Sequence, residues 1–186
     1  MKKLLFLLAL CVILLSGCVV YVDGDGFFTI AIIEEAKARI LSENPGLDLA
    51  FFEFSAGVSQ VFGTTERKDT TIDDLIWWRF AFDCGDGRTA TIYKENDAWQ
   101  PSHITSLIFP GASIFDSDYL RIDLDEAIEI LKISHLGGGA TDGNLFEMVS
   151  FSQPLHPDVT EPLYIFRFAG RPSVTVGAIT GIVKTE

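Results

Sequence analysis

The side chains most able to do chemistry in this chain are its histidines. The chain has three, His103, His135 and His156, and none falls in the His-x-x-x-His or His-x-Glu spacing that brings two ligands to one metal ion. No pair of cysteines accompanies them in a zinc-binding spacing. The sequence therefore predicts no metal site, and a zinc site assembled from residues far apart in sequence is the alternative.

Acidic pairs are the next candidates, because glycosidic chemistry uses two carboxyl groups. Asp73-Asp74 and Asp116/Asp118 are such pairs, but the chain holds 26 acidic and 14 basic residues, so acidic pairs arise without function. The sequence has no Gly-x-Ser-x-Gly elbow, Walker loop or Rossmann fingerprint. Gly137-Gly138-Gly139 follows a predicted helix, so it cannot bind phosphate at a helix N-terminus. We therefore predict a protein that is not an enzyme and has no cofactor.

The clearest chemical signal is Leu15-Ser16-Gly17-Cys18. It follows Met1-Lys2-Lys3 and an apolar run that ends at Leu15, which is too short to cross a bilayer core of about 30 Å. This order resembles a bacterial lipoprotein signal peptide over residues 1–17. The resemblance implies cleavage before Cys18 and a diacylglycerol on its thiol, which anchors the protein to a membrane. An ordinary secretory signal is the alternative.

Such a lipoprotein belongs to the cell envelope. Val19 follows the lipidated cysteine. In Gram-negative cells a residue other than Asp at this position indicates that the lipoprotein is in the outer membrane, facing the periplasm. In other bacteria the lipoprotein would lie on the outer face of the cell membrane. The net charge of −12 repels nucleic acid and anionic headgroups. The membrane is therefore bound through the lipid on Cys18, no nucleic-acid partner is expected, and the expected partner is an unidentified envelope protein.

Once the signal is removed, Cys84 has no disulfide partner, and its Asp-Cys-Gly-Asp-Gly context predicts a hairpin tip.

The elements that must position a binding site form one pattern used twice. Apolar periodicity predicts a helix over 29–42, ended by Asn44-Pro45-Gly46, and a second over 124–135, with Asp123 as N-cap and Glu126 as its capping-box partner. Three strand-like segments follow each helix, at 49–55, 76–82 and 89–94 and at 145–151, 163–168 and 174–179.

The predicted fold is therefore α+β, with two repeats of a helix plus an antiparallel meander, and each helix packed on one sheet face. The predicted organisation is a signal peptide over 1–17, a tether over 18–27, a first repeat over 28–100, a connector over 101–122 and a second repeat over 123–186.

The second repeat resembles a known family. Its start is similar to the start of PepSY and PepSY-like domains, in Ile122-Asp-Leu-Asp-Glu-Ala127. Its end is similar to the end of those domains, in Pro162-Leu-Tyr-Ile-Phe166 followed by Val174-Thr-Val-Gly-Ala-Ile-Thr-Gly-Ile-Val183. Gly177 stands where that family usually has Asp. The resemblance implies a non-enzymatic module outside the cytoplasm, proposed in its family to restrain peptidases or to bind envelope partners. A tandem pair is also similar in outline to the β-lactamase-inhibitor-protein fold.

Strand alternation predicts the binding surface. If Trp78, Phe80 and Phe82 face the helix, residues of opposite parity form an outer face that is largely apolar and carries two arginines. The predicted partner-binding residues on that face are Trp77, Arg79, Leu163, Ile165 and Arg167, and Phe51, Glu53, Leu145, Glu147 and Val149 are expected beside them. The alternative is that the connector, Trp99 or the other repeat covers this face.

The predicted function is docking of a protein partner on this face, as an inhibitor or regulator of a peptidase or other hydrolase. A small-ligand carrier with an apolar pocket between sheet and connector is the alternative. An envelope hydrolase is the least favoured.

Overall fold

A computed structural model of the 186-residue chain describes residues 29–58, 75–106, 112–113, 120–134 and 146–185. The predicted signal peptide and tether, both acidic pairs, Cys18, His135 and Leu145 lie outside these residues. The described residues form two helices and a large antiparallel sheet, which confirms an α+β fold composed mostly of sheet. No helix in the described ranges is both long and apolar enough to cross a membrane.

Two amphipathic helices begin and end close to their predicted positions. Helix α1 spans Thr29–Glu43, and the N–H of Asn44 donates to the carbonyl of Ile40 (2.8 Å) where the helix stops. Helix α2 spans Leu124–Ile133, with Asp123 as the predicted N-cap. Each helix buries one stripe of small and branched apolar side chains, as the 3.6-residue period requires.

Ten strands are described. The six predicted strands are all present, five of them with slightly shifted ends, and four short ones were not predicted. The strands are β1 (Ala50–Gly57), β2 (Trp77–Asp83), β3 (Thr89–Glu95), β4 (Ala98–Trp99), β5 (His103–Thr105), β6 (Ala112–Ser113), β7 (Phe146–Pro154), β8 (Leu163–Phe168), β9 (Val174–Gly177) and β10 (Val183–Thr185).

The strands join in the order β10-β9-β8-β7-β1-β2-β3-β4, and every neighbouring pair is antiparallel. Strand β5 pairs with β3, and β6 pairs with β7. The two central strands, β1 and β7, pair with each other, so the meander β1-β2-β3 and the meander β7-β8-β9 form one continuous sheet.

One hydrophobic core lies between the helices and the sheet. It includes Ile33 and Ala36 from α1, Leu124 and Ala127 from α2, and the inward-facing side chains of both meanders. Phe54 on β1 is fully buried at its centre. Its ring centroid lies 5.3 to 6.5 Å from the aromatic rings of two residues on β2, one on β7 and one on β8, namely Trp78, Phe80, Phe151 and Tyr164.

The predicted outward direction was wrong for two residues. The ring of Phe51 stacks on that of Phe151 and meets that of Phe82 edge-on in the core, and Val149 is completely buried. The register shifts between Phe51 and Glu53 in β1 and again between Phe146 and Met148 in β7. A β-bulge inserts one residue into a strand and so inverts the alternation on one side of it.

The N-termini of the two helices are joined by hydrogen bonds. The carboxylate of Asp123 accepts the N–H of Leu124 (2.8 Å) and also that of Thr29 in α1 (2.6 Å), while the hydroxyl of Thr29 accepts the N–H of Leu124 (3.0 Å). A capping box would have the N–H of Glu126 donate to Asp123. That prediction was wrong, because the N–H of Glu126 donates to Asp125 (2.8 Å). Each helix therefore supplies a cap for the other.

Candidate functional site

The predicted partner-binding residues share the sheet face opposite the helices, which we call the outer face. Trp77 and Arg79 lie on β2, and Leu163, Ile165 and Arg167 lie on β8, each alternating with a buried core residue. Strands β1 and β7 separate the two groups. Four of the five side chains are half-buried, and Arg167 is exposed.

Cross-strand pairing places these residues in rows across the sheet. One row runs through Trp77, Gly57, Met148 and Arg167. The next runs through Arg79, Ser55, Ser150 and Ile165. The centre of the outer face therefore combines the small or polar residues Gly57, Ser55 and Ser150 with the apolar Met148, so it is less apolar than expected.

A cavity of about 710 Å³ opens on this face beside β2 and β3. We call it the outer-face cavity. Of the five predicted residues, Trp77 and Arg79 line it. Its full described lining consists of Ser55, Trp77, Arg79, Tyr93, Lys94, Glu95, Gln100, Pro101, His103 and Met148. Leu163, Ile165 and Arg167 lie on the same face but are not part of this lining.

The indole of Trp77 lies directly over Gly57. A Cβ added to Gly57 would lie 2.8 Å from Nε1 of Trp77 and 2.8 Å from the carbonyl oxygen of Glu147, closer than real Cβ contacts. The missing side chain therefore makes the space that the ring occupies, and the indole is held at the edge of the cavity by the sheet beneath it.

The two cationic side chains of the lining are each paired with a carboxylate. Arg79 donates to Glu53 of β1, and both side chains are about three-quarters buried (26% and 23% exposed). The ammonium of Lys94 lies 3.7 Å from Asp97 and 5.6 Å from the ring centre of Trp99. Glu95 adds a carboxylate, so charge of neither sign dominates the cavity.

The prediction missed the other polar and aromatic residues of the cavity. Tyr93 is 40% exposed and pairs with Arg79 across β3 and β2. Its outward direction could have been found, because it has the opposite parity to the apolar residues of its strand. His103 had no such signal: it lies in the predicted connector, and only the pairing of β5 with β3 brings it to the cavity.

The remaining candidates for chemistry are dispersed. His156 is exposed in the loop after β7, and its Nδ1 lies 3.7 Å from Asp158. Cys84 lies at the predicted hairpin tip between β2 and β3 and is buried. Burial, with a smaller effect from Asp86, raises the pKa of its thiol, which disfavours the reactive thiolate. Within the described ranges, no group of three or more His, Cys, Asp or Glu residues is placed to hold a metal ion.

No family model, curated protein or solved structure matches this chain. The resemblance to PepSY-like domains therefore depends on the short motifs alone.

Proposed function

We propose that this chain is a lipid-anchored binding module of the cell envelope that docks a protein partner on its outer face. The single observation that carries this proposal is the placement of Trp77, Arg79, Leu163, Ile165 and Arg167 on one face, away from the helices. Tryptophan and arginine are the residues most often found at the energetic centre of protein interfaces. The lipid on Cys18 would hold the module at the membrane, and inhibition or regulation of a peptidase or other hydrolase is the role we favour.

The separation of the two groups supports a protein partner. Trp77 and Arg167 are three strand spacings apart, which corresponds to about 14 Å. A typical protein interface covers about 800 Å² on each partner and readily includes both. A single small molecule in the cavity would touch one group only.

The same proposal treats the chain as two PepSY-like repeats. It is supported by the order of elements, because each helix precedes a three-stranded antiparallel meander. It is also supported at the position where the sequence departs from the family. A Cβ on Gly177 would lie 2.5 Å from the carboxylate of Glu161, so the acid that the family usually carries on β9 is supplied here by Glu161.

The test is crosslinking of the tagged lipoprotein in its native envelope, followed by identification of the partner and reconstitution with that purified protein. We expect Trp77→Ala plus Arg167→Ala to weaken binding at least tenfold. The matched control, Ile30→Ala plus Arg39→Ala, changes exposed residues of α1 and should leave binding unchanged. Equal binding by both double variants would exclude the outer face. The anchor is tested separately, by the mass of the mature N-terminal peptide, which should carry a diacylglycerol on Cys18.

A small-ligand carrier is the second candidate, and the cavity volume favours it. About 710 Å³ lies within the range of roughly 300–1,000 Å³ that small-molecule sites occupy. The cavity lies between the sheet and residues of the predicted connector, Pro101 and His103, as that candidate expects. Its lining is mixed in polarity, whereas the carrier was expected to have an apolar pocket. No observation favours an envelope hydrolase.

A further inference from the structure

We propose that the outer-face cavity is a binding site for a neutral oligosaccharide. This inference goes beyond the protein docking proposed above, because it concerns a second class of ligand and depends only on the residues that line the cavity. Three features of the lining carry it: aromatic rings on one strand pair, hydrogen-bonding groups of both kinds, and balanced charge.

Two aromatic side chains provide the apolar part of the site. Trp77 on β2 pairs with Glu95 on β3, so Tyr93, two residues before Glu95, is the diagonal neighbour of Trp77 on the same face. Diagonal neighbours in a sheet lie about 7–8 Å apart. The indole of Trp77 already packs against Gly57 of the sheet, so little conformational entropy is lost when a ligand contacts it. A pyranose ring presents a face of C–H groups that can lie on such rings.

The polar part of the site can both donate and accept hydrogen bonds. Gln100 and His103 offer N–H groups, Ser55 can do both, and the carboxylate of Glu95 accepts. A sugar hydroxyl is itself a donor and an acceptor, so a ligand with many hydroxyls can use each of these groups. A purely apolar ligand would leave them without partners, which costs free energy.

The charges of the lining favour a neutral ligand. Arg79 is already bound to Glu53, and Lys94 lies beside Asp97. An anionic ligand would have to compete with these carboxylates and would also meet Glu95. A cationic ligand would meet Glu95 but also the guanidinium of Arg79. Because the partly buried pair of Arg79 and Glu53 is costly to separate, an uncharged ligand binds at the lowest cost.

The experiment is isothermal titration of the mature lipoprotein, in a detergent without a sugar headgroup, against maltotriose, cellotriose, laminaritriose and triacetylchitotriose. An anionic trisaccharide, trigalacturonate, is titrated alongside. We expect at least one neutral trisaccharide to bind with a Kd between about 10 μM and 1 mM. We expect trigalacturonate to bind at least tenfold more weakly than the best neutral sugar.

Tyr93→Ala and Trp77→Ala should each weaken sugar binding at least tenfold, and Tyr93→Ala is the safer variant because the ring is partly exposed. Arg167→Ala is the matched control: it lies on the outer face outside the cavity, so it should leave sugar binding unchanged while weakening protein docking. Any one of three results would overturn the proposal. The first is that no neutral trisaccharide binds at millimolar concentration, and the second is that trigalacturonate binds as tightly as the best neutral sugar or more tightly. The third is that Tyr93→Ala binds the sugar as well as the unchanged protein does. None of these results would alter the test of protein docking.

Discussion

A single carboxylate, that of Glu161, organises the turn that follows β9. It accepts the N–H of Ile179 (2.8 Å), the N–H of Thr180 (2.9 Å) and the hydroxyl of Thr180 (2.6 Å). Burial alone would raise the pKa of Glu161, but the hydrogen bonds from Thr180 and Ile179 outweigh it and lower that pKa. The ionised form is therefore the one that stabilises the turn.

We expect Glu161→Gln to lower the free energy of unfolding by about 1 kcal/mol at pH 7, a figure reduced for the partial exposure of the carboxylate. Because the folded-state pKa lies below the unfolded value, the stabilisation is complete above the unfolded value of about 4.3 and is lost as the pH falls through the folded value. Urea unfolding at pH 7 and at about pH 3 measures this, and the difference between the two proteins should shrink at the lower pH. The same loss at both values would mean that charge plays no part.

Glu34→Gln is the matched control for that prediction. Glu34 is exposed on α1, so its replacement should change the free energy of unfolding by less than about 0.5 kcal/mol.

At the scale of elements, the two helices depend on each other for their first turns. Asp123 of α2 receives an N–H from each helix, and the buried hydroxyl of Tyr164 lies 3.2 Å from that of Thr29 and donates to the carbonyl of Ile122 (2.9 Å). Burial raises the pKa of Tyr164, so the hydroxyl keeps its proton and remains a donor. This network connects two elements almost a hundred residues apart along the chain.

We expect Asp123→Ala to destabilise the protein by about 1–2 kcal/mol, because it removes a cap from two helix N-termini at once. Asp125→Ala is the matched control: it removes a neighbouring carboxylate whose hydrogen bond is local and exposed, and should cost less than about 0.5 kcal/mol. Thermal unfolding of both variants measures the difference. Equal losses would mean that the two caps of Asp123 add no more than one exposed local hydrogen bond.

The sheet shows why strand alternation predicts some faces and misses others. In β2 the residues Trp77 and Arg79 alternate with buried core residues, β8 alternates along its length, and all five predicted partner-binding residues lie on the expected face. Strands β1 and β7 contain register shifts, which is why Phe51 and Val149 turned out to lie in the core. A bulge depends on how a strand meets its neighbours, so hydrophobic pattern within one strand does not reveal it.

At the scale of the whole molecule, one core supports both meanders. Phe54 lies at its middle and contacts aromatic rings from β2, β7 and β8. The central pairing of β1 with β7 places this residue between the two halves. The halves should therefore unfold together, because neither can expose its side of the core without disturbing the other.

We expect Phe54→Leu to lower the free energy of unfolding by about 1–2 kcal/mol. Native-state hydrogen exchange should then become faster in both β3 and β9, roughly tenfold in each, because a loss of 1.4 kcal/mol corresponds to a factor of ten. Faster exchange in β3 with no change in β9 would show that the halves open separately. Ile30→Ala, at an exposed position of α1, is the control and should change neither strand.

The sequence by itself determined the elements of this protein. Apolar periodicity of 3.6 and 2 residues predicted both helices and six strands, because the spacing of apolar side chains decides which local structure can bury them. It also indicated the cap that Asp123 provides to Leu124 and the hairpin tip at Cys84, because both involve contacts between near neighbours in sequence. Strand alternation likewise indicated which side chains of β2 and of β8 point away from the core.

The tertiary structure decided how those elements meet. Three features join segments that are far apart in sequence: the pairing of β1 with β7, the two bulges, and the approach of β5 to β3. The local sequence of each segment does not determine these contacts. Each depends on the free energy of packing a whole core, in which many weak contacts between distant segments are satisfied at once. The outer-face cavity arises in this way: β1, β2, β3, β5 and β7 each contribute to its lining, and no single segment contains its pattern.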